Sequence, residues 1–370
     1  MLKPFHILDR CLGLSRRFTD RPTIPSGVLL LSCGGLGDTV LFAHVLSRFM
    51  ALAKEGERIS VLLRADAAQM AFLFPPDVDT VIVDFHRFAR NLAYRKAVTG
   101  KLFGAHFRLV VSTDYLRHPY LDEVMAAACA AAECVAMEPR PWVKYDRALK
   151  RNRRIFTKLY DSGPAIRDKI VRWSRFAGWL TGHDSPPPTA LMSVETLAAA
   201  HIPERPTVVI QPFSAVREKQ SQPGLYRRII EAVGPSYDVV FTGAPGDLDR
   251  NREYEKLMAP PGVTFNSAGF AELVPMLRAA ALVISVDTAL MHLAVAVGAP
   301  TLCLAGAAYV GEIVPYDPAV APKNAHFIYH DMDCRGCLGD CVHQLVDGMY
   351  PCVAGLDADA VLAEVRELLD

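Results

Sequence analysis

The stretch from Ala281 to Gly306, Ala-Leu-Val-Ile-Ser-Val-Asp-Thr-Ala-Leu-Met-His-Leu-Ala-Val-Ala-Val-Gly-Ala-Pro-Thr-Leu-Cys-Leu-Ala-Gly, leaves the chain few folds to choose from. Leu282 to Ser285 is a short apolar, β-rich run of the kind a buried parallel strand needs. Asp287 and Thr288 follow at the turn, and both residue types cap helix N-termini. Leu290, Leu293, Ala294 and Val297 recur at helical spacing. Gly298 falls where a helix C-cap belongs, and Pro300 prevents continuation. Thr301 to Leu304 reads as the next strand. In such a βαβ unit the carboxyl end of the strand and the helix N-terminus share a crevice where ligands bind in open α/β sheets. Unpaired N–H groups and the positive end of the helix dipole make that point attractive to a phosphate. Asp287, Thr288 and His292 gather there, His292 about one turn into the helix. The same three residues also fit a plain cap and a half-buried core histidine.

The alternation runs through most of the chain. Gly27 to Cys33 gives a first buried strand, then a glycine-rich turn, Gly34-Gly35-Leu36-Gly37-Asp38, and a helix with Leu41, Val45, Leu46 and Phe49 on one face. Strands at 59–64, 80–84 and 107–112 alternate with helices at 66–73, 87–100 and 121–131. Residues 1–25 show no clear period beyond room for a short helix. A second series has strands at 207–211 and 237–242 and helices at 224–233, 247–258 and 270–278. Residues 305–356 read as irregular. Val361, Leu362, Val365 and Leu368 place a final amphipathic helix at 357–369. Regular βα alternation predicts parallel, doubly wound sheets. With 370 residues the chain exceeds one ordinary core. Pro186-Pro187-Pro188, Pro203 and Pro206 mark a linker. The expected architecture is α/β: a Rossmann-like domain over 1–183, a linker over 184–206, a second Rossmann-like domain over 207–356, and a helix over 357–370 that can return to the first domain.

Charge sharpens this division. The net charge is zero, yet residues 1–200 carry 28 Lys+Arg against 19 Asp+Glu, and residues 201–370 carry 12 against 21. Between Arg140 and Arg175 stand 12 basic and 3 acidic residues, with Trp142, Trp173 and Trp179 in or beside them. No run reaches the roughly 18 uncharged apolar residues of a membrane span, and the first ten residues lack the apolar core of a signal peptide. The expectation is a cytoplasmic protein.

Four stretches carry chemistry. Gly34 to Asp38 allows a tight turn and close ligand approach, but it lacks the G-x-G-x-x-G order of a dinucleotide fingerprint. A carboxylate at a helix start repels phosphate, so Asp38 suits either proton abstraction from a hydroxyl or stabilisation of its own helix dipole. Past the strand at 207–211, Ser214 and Lys219 can hold a phosphate by hydrogen bond and charge, or Lys219 can be a solvated loop lysine. Gly243 to Asp247 suits a ribose hydroxyl or simple capping. The fourth stretch is the one that ends in His292.

In this order and spacing the four stretches resemble glycosyltransferase family 9, the lipopolysaccharide heptosyltransferases. The strongest parts are Gly37-Asp38 and Ser285-x-Asp287-Thr288-x-x-x-His292; Lys219 and Gly243-Ala244-Pro245 support them. The resemblance implies the GT-B fold, with two Rossmann-like domains facing across a cleft, and an inverting transfer without catalytic metal. It implies Asp38 as general base. Ser214, Lys219, Gly243, Asp247, Asp287, Thr288, Ala289 and His292 are implied around the donor, which would be a nucleotide-sugar such as ADP-heptose. Gly35, Gly37, Arg140 and Lys144 are implied on the acceptor side. Two departures stand out: Ala289 replaces the family's usual glycine, and Lys219-Gln220-Ser221-Gln222 replaces Lys-x-Trp-Pro.

The basic segment with its tryptophans fits an anionic glycolipid at a membrane surface better than nucleic acid, or it forms solvated helix faces. Cys334, Cys337, Cys341 and Cys352 can bind a structural metal or pack as plain cysteines; their spacing is not that of paired zinc ribbons. The expected function is transfer of a heptose-like sugar to a lipopolysaccharide core or related glycan. The alternatives are another nucleotide-sugar donor on the same fold, and a protein that binds nucleotide-sugar or glycan without turnover.

Overall fold

The computed structural model describes residues 5, 9, 21–193, 195 and 197–370. The sequence expectation for residues 1–25 falls mostly outside them. The chain divides into two compact units. The first comprises residues 1–165 and 172–186, the second residues 166–171 and 187–370.

The first unit is built on a six-stranded sheet ordered β3-β2-β1-β4-β5-β6. In chain order its elements are β1 (Val28–Leu31), α1 (Leu36–Met50), β2 (Ile59–Arg64), β3 (Val78–Val83), α2 (Phe85–Arg90), α3 (Leu92–Gly104), β4 (Leu109–Ser112), α4 (Asp122–Cys129), β5 (Glu133–Met137), α5 (Asp146–Asn152), β6 (Lys158–Tyr160) and α6 (Lys169–Thr181). Every ladder is parallel; Val28 pairs with Ile59 on one side and Leu109 on the other. The four residues of β1 are fully buried, as a strand covered on both faces requires. Helix α1 buries Val40, Leu41, Val45, Leu46 and Phe49 against the sheet, matching the helical spacing of those residues.

The second unit repeats the arrangement with β7 (Thr207–Gln211), α7 (Pro223–Val233), β8 (Asp238–Thr242), α8 (Asp247–Arg250), β9 (Val263–Asn266), α9 (Phe270–Ala279), β10 (Leu282–Val286), α10 (Ala289–Ala296), β11 (Thr301–Ala305), β12 (Ala325–Tyr329), α11 (Pro351–Ala354) and α12 (Ala358–Leu369). Its order is β12-β11-β10-β7-β8-β9, again all parallel. Read from the first strand outward, the two sheets have the same topology. In each, the first and fourth strands of the unit are neighbours and the order reverses between them, so each has a switch point where open α/β sheets bind ligands.

The alternation predicted from sequence is present, with four additions. β5, β6, β9 and β12 lie where no strand was expected, β12 within the stretch read as irregular. The helix expected over 247–258 breaks at Asn251 and continues as a 3₁₀ turn over Arg252–Met258. The final helix, which the sequence left free to return to the first domain, buries Val361, Leu362 and Val365 in the core of the second unit, beside Tyr226 and Ile229 of α7.

Candidate functional site

At the switch point of the first sheet, β1 runs into Gly34 and Gly35, and Gly35 caps α1. Asp38 occupies the third position of the helix, and its Oδ2 accepts the Gly35 N–H at 2.9 Å. A Cβ on Gly34 would stand 2.5 Å from the Asp38 Cβ, so this turn admits only glycine while Asp38 folds back on it. The half-buried carboxylate thus serves its own helix, one of the two roles open to it from sequence. Gly35 and Gly37 are half-buried in the same turn, and a Cβ on Gly35 would meet open space.

The neighbouring β4 adds a group that sequence reasoning missed. Asp114 is buried, and its Oδ2 accepts the Cys33 N–H at 2.6 Å, just past β1. Behind it lies a buried polar network. The Arg117 guanidinium donates to the Met137 carbonyl at 2.7 Å and to Glu123 at 3.2 Å, and Asn152 donates to the other Glu123 oxygen at 2.9 Å. Asp122 accepts the His118 backbone N–H at 2.7 Å, and burial pushes its carboxyl up to about 8. His118 stands in an aromatic group with Tyr120, Trp142 and Tyr145, with ring centroids 4.6–5.9 Å from the His118 ring. Its Nε2 lies 3.1 Å from the Tyr145 hydroxyl. Burial, with Lys144 and Arg95 nearby, holds the imidazole down at about 4, and so neutral at physiological pH.

Of the two acceptor-side cations expected from sequence, Lys144 is exposed, its Nζ 5.1 Å from the Tyr145 ring centre, and Arg140 is half-buried. The tryptophans divide. Trp142 belongs to the aromatic group, but Trp173 is 3% exposed; it donates to the Thr113 carbonyl at 2.8 Å and packs edge-on to Phe42. Trp173 is a core residue, which corrects its place among residues expected to meet a glycolipid.

The second sheet brings its candidates together more tightly. The loop after β7 and the turn between β10 and α10 meet at the switch point. Lys219 closes a 3₁₀ turn over Arg217–Lys219, and its Nζ donates to the Asp287 carboxylate at 2.7 Å and to the Asp287 carbonyl at 3.2 Å. Burial alone would lower the Lys219 pKa, but the charge and hydrogen bond of Asp287 outweigh it and raise the net value, so the lysine stays charged. Asp287 in turn stands 3.9 Å from His292 Nε2, while His292 Nδ1 meets the buried Tyr316 hydroxyl at 2.7 Å.

Thr288 is the N-cap of α10 by position, but its side chain caps nothing. Its hydroxyl donates to Gln211 Oε1 at 2.9 Å, and so does Ser285 at 3.0 Å. The N–H groups that open α10 at Ala289 are therefore not covered by the cap side chain, which keeps the positive end of the helix available. Gln211, Tyr316 and Tyr309 were missed in the sequence. Their partners at the site (Ser285 and Thr288 for Gln211, His292 for Tyr316, Lys219 for Tyr309) are 24 to 90 positions away, beyond the reach of any local pattern.

Two expected residues serve local structure. Ser214 Oγ accepts the Val216 N–H at 3.2 Å. Asp247 accepts the Ala244 N–H at 2.6 Å and pairs with Arg250 at 2.7 Å. A Cβ on Gly243 would meet both Asp247 and Phe213 at 2.8 Å, so that turn too demands glycine. The free thiols of Cys334, Cys337, Cys341 and Cys352 border one small cavity with Met332 and Tyr350. Among the described residues, no group of three or more His, Cys, Asp or Glu stands in a metal-holding arrangement, and no helix is long and apolar enough to cross a membrane.

Residues 171–335 match the profile of glycosyltransferase family 9 (heptosyltransferase). The chain carries a glycosyltransferase family 9 domain. It is a glycosyltransferase of the GT-B fold. That family 9 segment spans the Lys219, Asp247, Asp287 and His292 positions, and solved structures extend the likeness of fold to nearly the whole chain. A family 9 glycosyltransferase from Veillonella parvula superposes with a TM-score of 0.67 at 16% identity, covering 95% of this chain and 99% of that one. The E. coli heptosyltransferase WaaC, solved with ADP-2-deoxy-2-fluoro heptose, gives 0.65 at 17%, covering 92% and 99%. E. coli ADP-heptose lps heptosyltransferase II gives 0.59 at 13%, covering 93% and 98%. Among curated protein sequences, none matches.

Proposed function

We propose that this family 9 glycosyltransferase moves a heptose-like sugar from a nucleotide-diphosphate donor, ADP-heptose in the first instance, to the hydroxyl of an anionic glycan acceptor. The observation that carries the donor half is the Lys219–Asp287 pair beside the N-terminus of α10, at the switch point of the second sheet. A charged, mostly buried lysine and a helix dipole stabilise the negative charge that gathers on a departing diphosphate. Thr288, Ala289 and His292 line the same turn, with Ser214, Gly243 and Asp247 on the adjoining loops. WaaC in complex with a fluorinated ADP-heptose supports the choice of donor.

The acceptor half rests on the first unit. Asp38 takes the proton of the acceptor hydroxyl as its oxygen attacks the anomeric carbon. The bond from that carbon to the diphosphate breaks, and the electron pair leaves with the diphosphate. One displacement inverts the centre and needs no enzyme nucleophile. Gly35 leaves room beside Asp38 in the turn it shares with Gly37, while Arg140 and Lys144 offer positive charge to an anionic glycan or glycolipid at a membrane surface. No residue of this scheme asks for a metal or for nucleic acid.

A second reading has one observation in its favour. The Asp38 carboxylate caps α1, a role compatible with binding a nucleotide-sugar without turnover. Calorimetry tests the donor site that both readings share, and transfer by the parent and by Asp38→Ala separates them. Calorimetry with ADP-heptose, ADP-, UDP- and GDP-hexoses and NAD, without added metal, is expected to select a nucleotide-sugar. Asp38→Ala is expected to keep the donor Kd within about twofold and to lower transfer by about 10²–10⁴, the range of general base catalysis. Unchanged transfer in Asp38→Ala removes the base; binding of NAD alone removes the whole reading.

A further inference from the structure

The Lys219 ammonium has a third neighbour besides the two oxygens of Asp287. It lies over the ring of Tyr309, 4.9 Å from the centroid. Tyr309 ends the 3₁₀ turn Ala307–Tyr309 that follows β11, so it reaches the lysine from a different strand than the loop that carries it. Its place is fixed from several sides. The backbone just before it is pinned: Ala307 and Ala308 accept the N–H groups of Gly336 and Leu338 at 2.9 and 2.8 Å. The Tyr309 carbonyl accepts from Glu312 and Ile313, both at 3.1 Å. A Cβ on Gly339 would stand 3.1 Å from the Tyr309 hydroxyl, so the glycine lets that loop close over the phenol. The same region steadies the Lys219 loop, since the Tyr350 N–H donates to the Glu218 carbonyl at 2.9 Å.

We infer that Tyr309 is a positioning residue for the donor diphosphate, acting through Lys219. A lysine stem has four rotatable bonds and loses considerable freedom when its head is held in one place. Asp287 holds the ammonium through two oxygens and does nothing to close its other sides. The negative face of an aromatic ring in a partly desolvated site closes off one side. With two of its three N–H groups on the Asp287 oxygens and a ring face closing another side, the ammonium keeps one N–H for a ligand. This inference rests on the donor role of Lys219 proposed above.

The test is calorimetry with ADP and with adenosine on the full chain and on Tyr309→Phe, Tyr309→Leu, Lys219→Ala and the double variant Tyr309→Leu/Lys219→Ala. Tyr309→Leu is expected to weaken ADP by about two- to thirty-fold, the span of a cation–π contact from exposed to desolvated. Adenosine, which has no phosphate for Lys219 to meet, should bind as before, and its binding also shows that the variant is folded. Tyr309→Phe keeps the ring and should match the parent. In the Lys219→Ala background, Tyr309→Leu should cost nothing further. Equal losses for ADP and adenosine, or an undiminished loss once Lys219 is gone, make Tyr309 an ordinary packing residue and overturn the inference. If Lys219→Ala weakens ADP while Tyr309→Leu does not, only the role of Tyr309 falls. If Lys219→Ala leaves ADP binding unchanged, the proposed donor site falls first and the inference with it.

Discussion

Asp287 is a buried carboxylate of the second unit that meets Lys219 at 2.7 Å, with His292 beyond. Removing one member of such a pair strands the other. Lys219→Ala should therefore destabilise the ligand-free protein by about 3–5 kcal/mol, the usual cost of an uncompensated buried charge, in a urea titration that needs no substrate. A merely solvated lysine would cost almost nothing. Asp122 gives a second residue-scale expectation. Its folded pKa of about 8 lies above the ordinary 3.8, so the stability tied to its protonated form is complete below about 4 and is lost as pH rises towards 8. Asp122→Asn should remove that dependence, flattening the stability–pH curve by at most about 1.36 kcal/mol per pH unit; denaturant midpoints at several pH values would read it. At this scale the sequence exposed what is local. Asp287, Thr288 and His292 share one turn, and Lys219 follows its strand within a few residues. Asp114, Gln211, Tyr309 and Tyr316 stayed hidden, because each matters only through a neighbour brought to it by the fold.

Among the elements, the strands buried on both faces were legible, and of the edge strands only β3 was. β1, β7, β10 and β11 are fully buried runs. β6, β9 and β12 are edge strands, paired on one side and only partly buried, so no unbroken apolar run marks them. β5 was lost for another reason: its Cys-Val-Ala-Met follows the alanine-rich end of α4 so closely that the two periods merge. The turn into α1 was legible as glycine-rich, though the reason for its glycine lies in side-chain geometry. Gly34→Ala puts a methyl into the Asp38 side chain. Overpacking of this kind costs about 1–3 kcal/mol, and Asp38 must move to relieve it. Transfer should fall more steeply than stability, a difference that parallel activity and denaturation measurements would expose.

Over the whole chain, the same six-strand order occurs twice, with carboxylates at the first switch point and a lysine at the second. The prolines and the charge asymmetry pointed to two units, and nothing in them pointed to interleaved ones. Helix α6 spans Lys169–Thr181, and residues 166–171 group with the second unit while 172–186 group with the first. Asp168 accepts the Asp317 N–H at 3.2 Å, Lys169 donates to the Glu312 carbonyl at 3.1 Å, and Ile166 fills the space beside Gly311 and Gly336. A chain beginning at residue 187 lacks these contacts. It should unfold at a lower urea concentration than one beginning at residue 166, by about 1–3 kcal/mol for the lost hydrogen bonds and apolar burial. The interleaving also bears on descent. Recombination between two relatives at the proline-rich stretch would separate the second unit from six of its own residues, and a crossover before residue 166 would take part of the first unit along with them. At either point the helix comes whole from one parent while one of the units it belongs to comes from the other, so the two units are expected to be inherited as a pair.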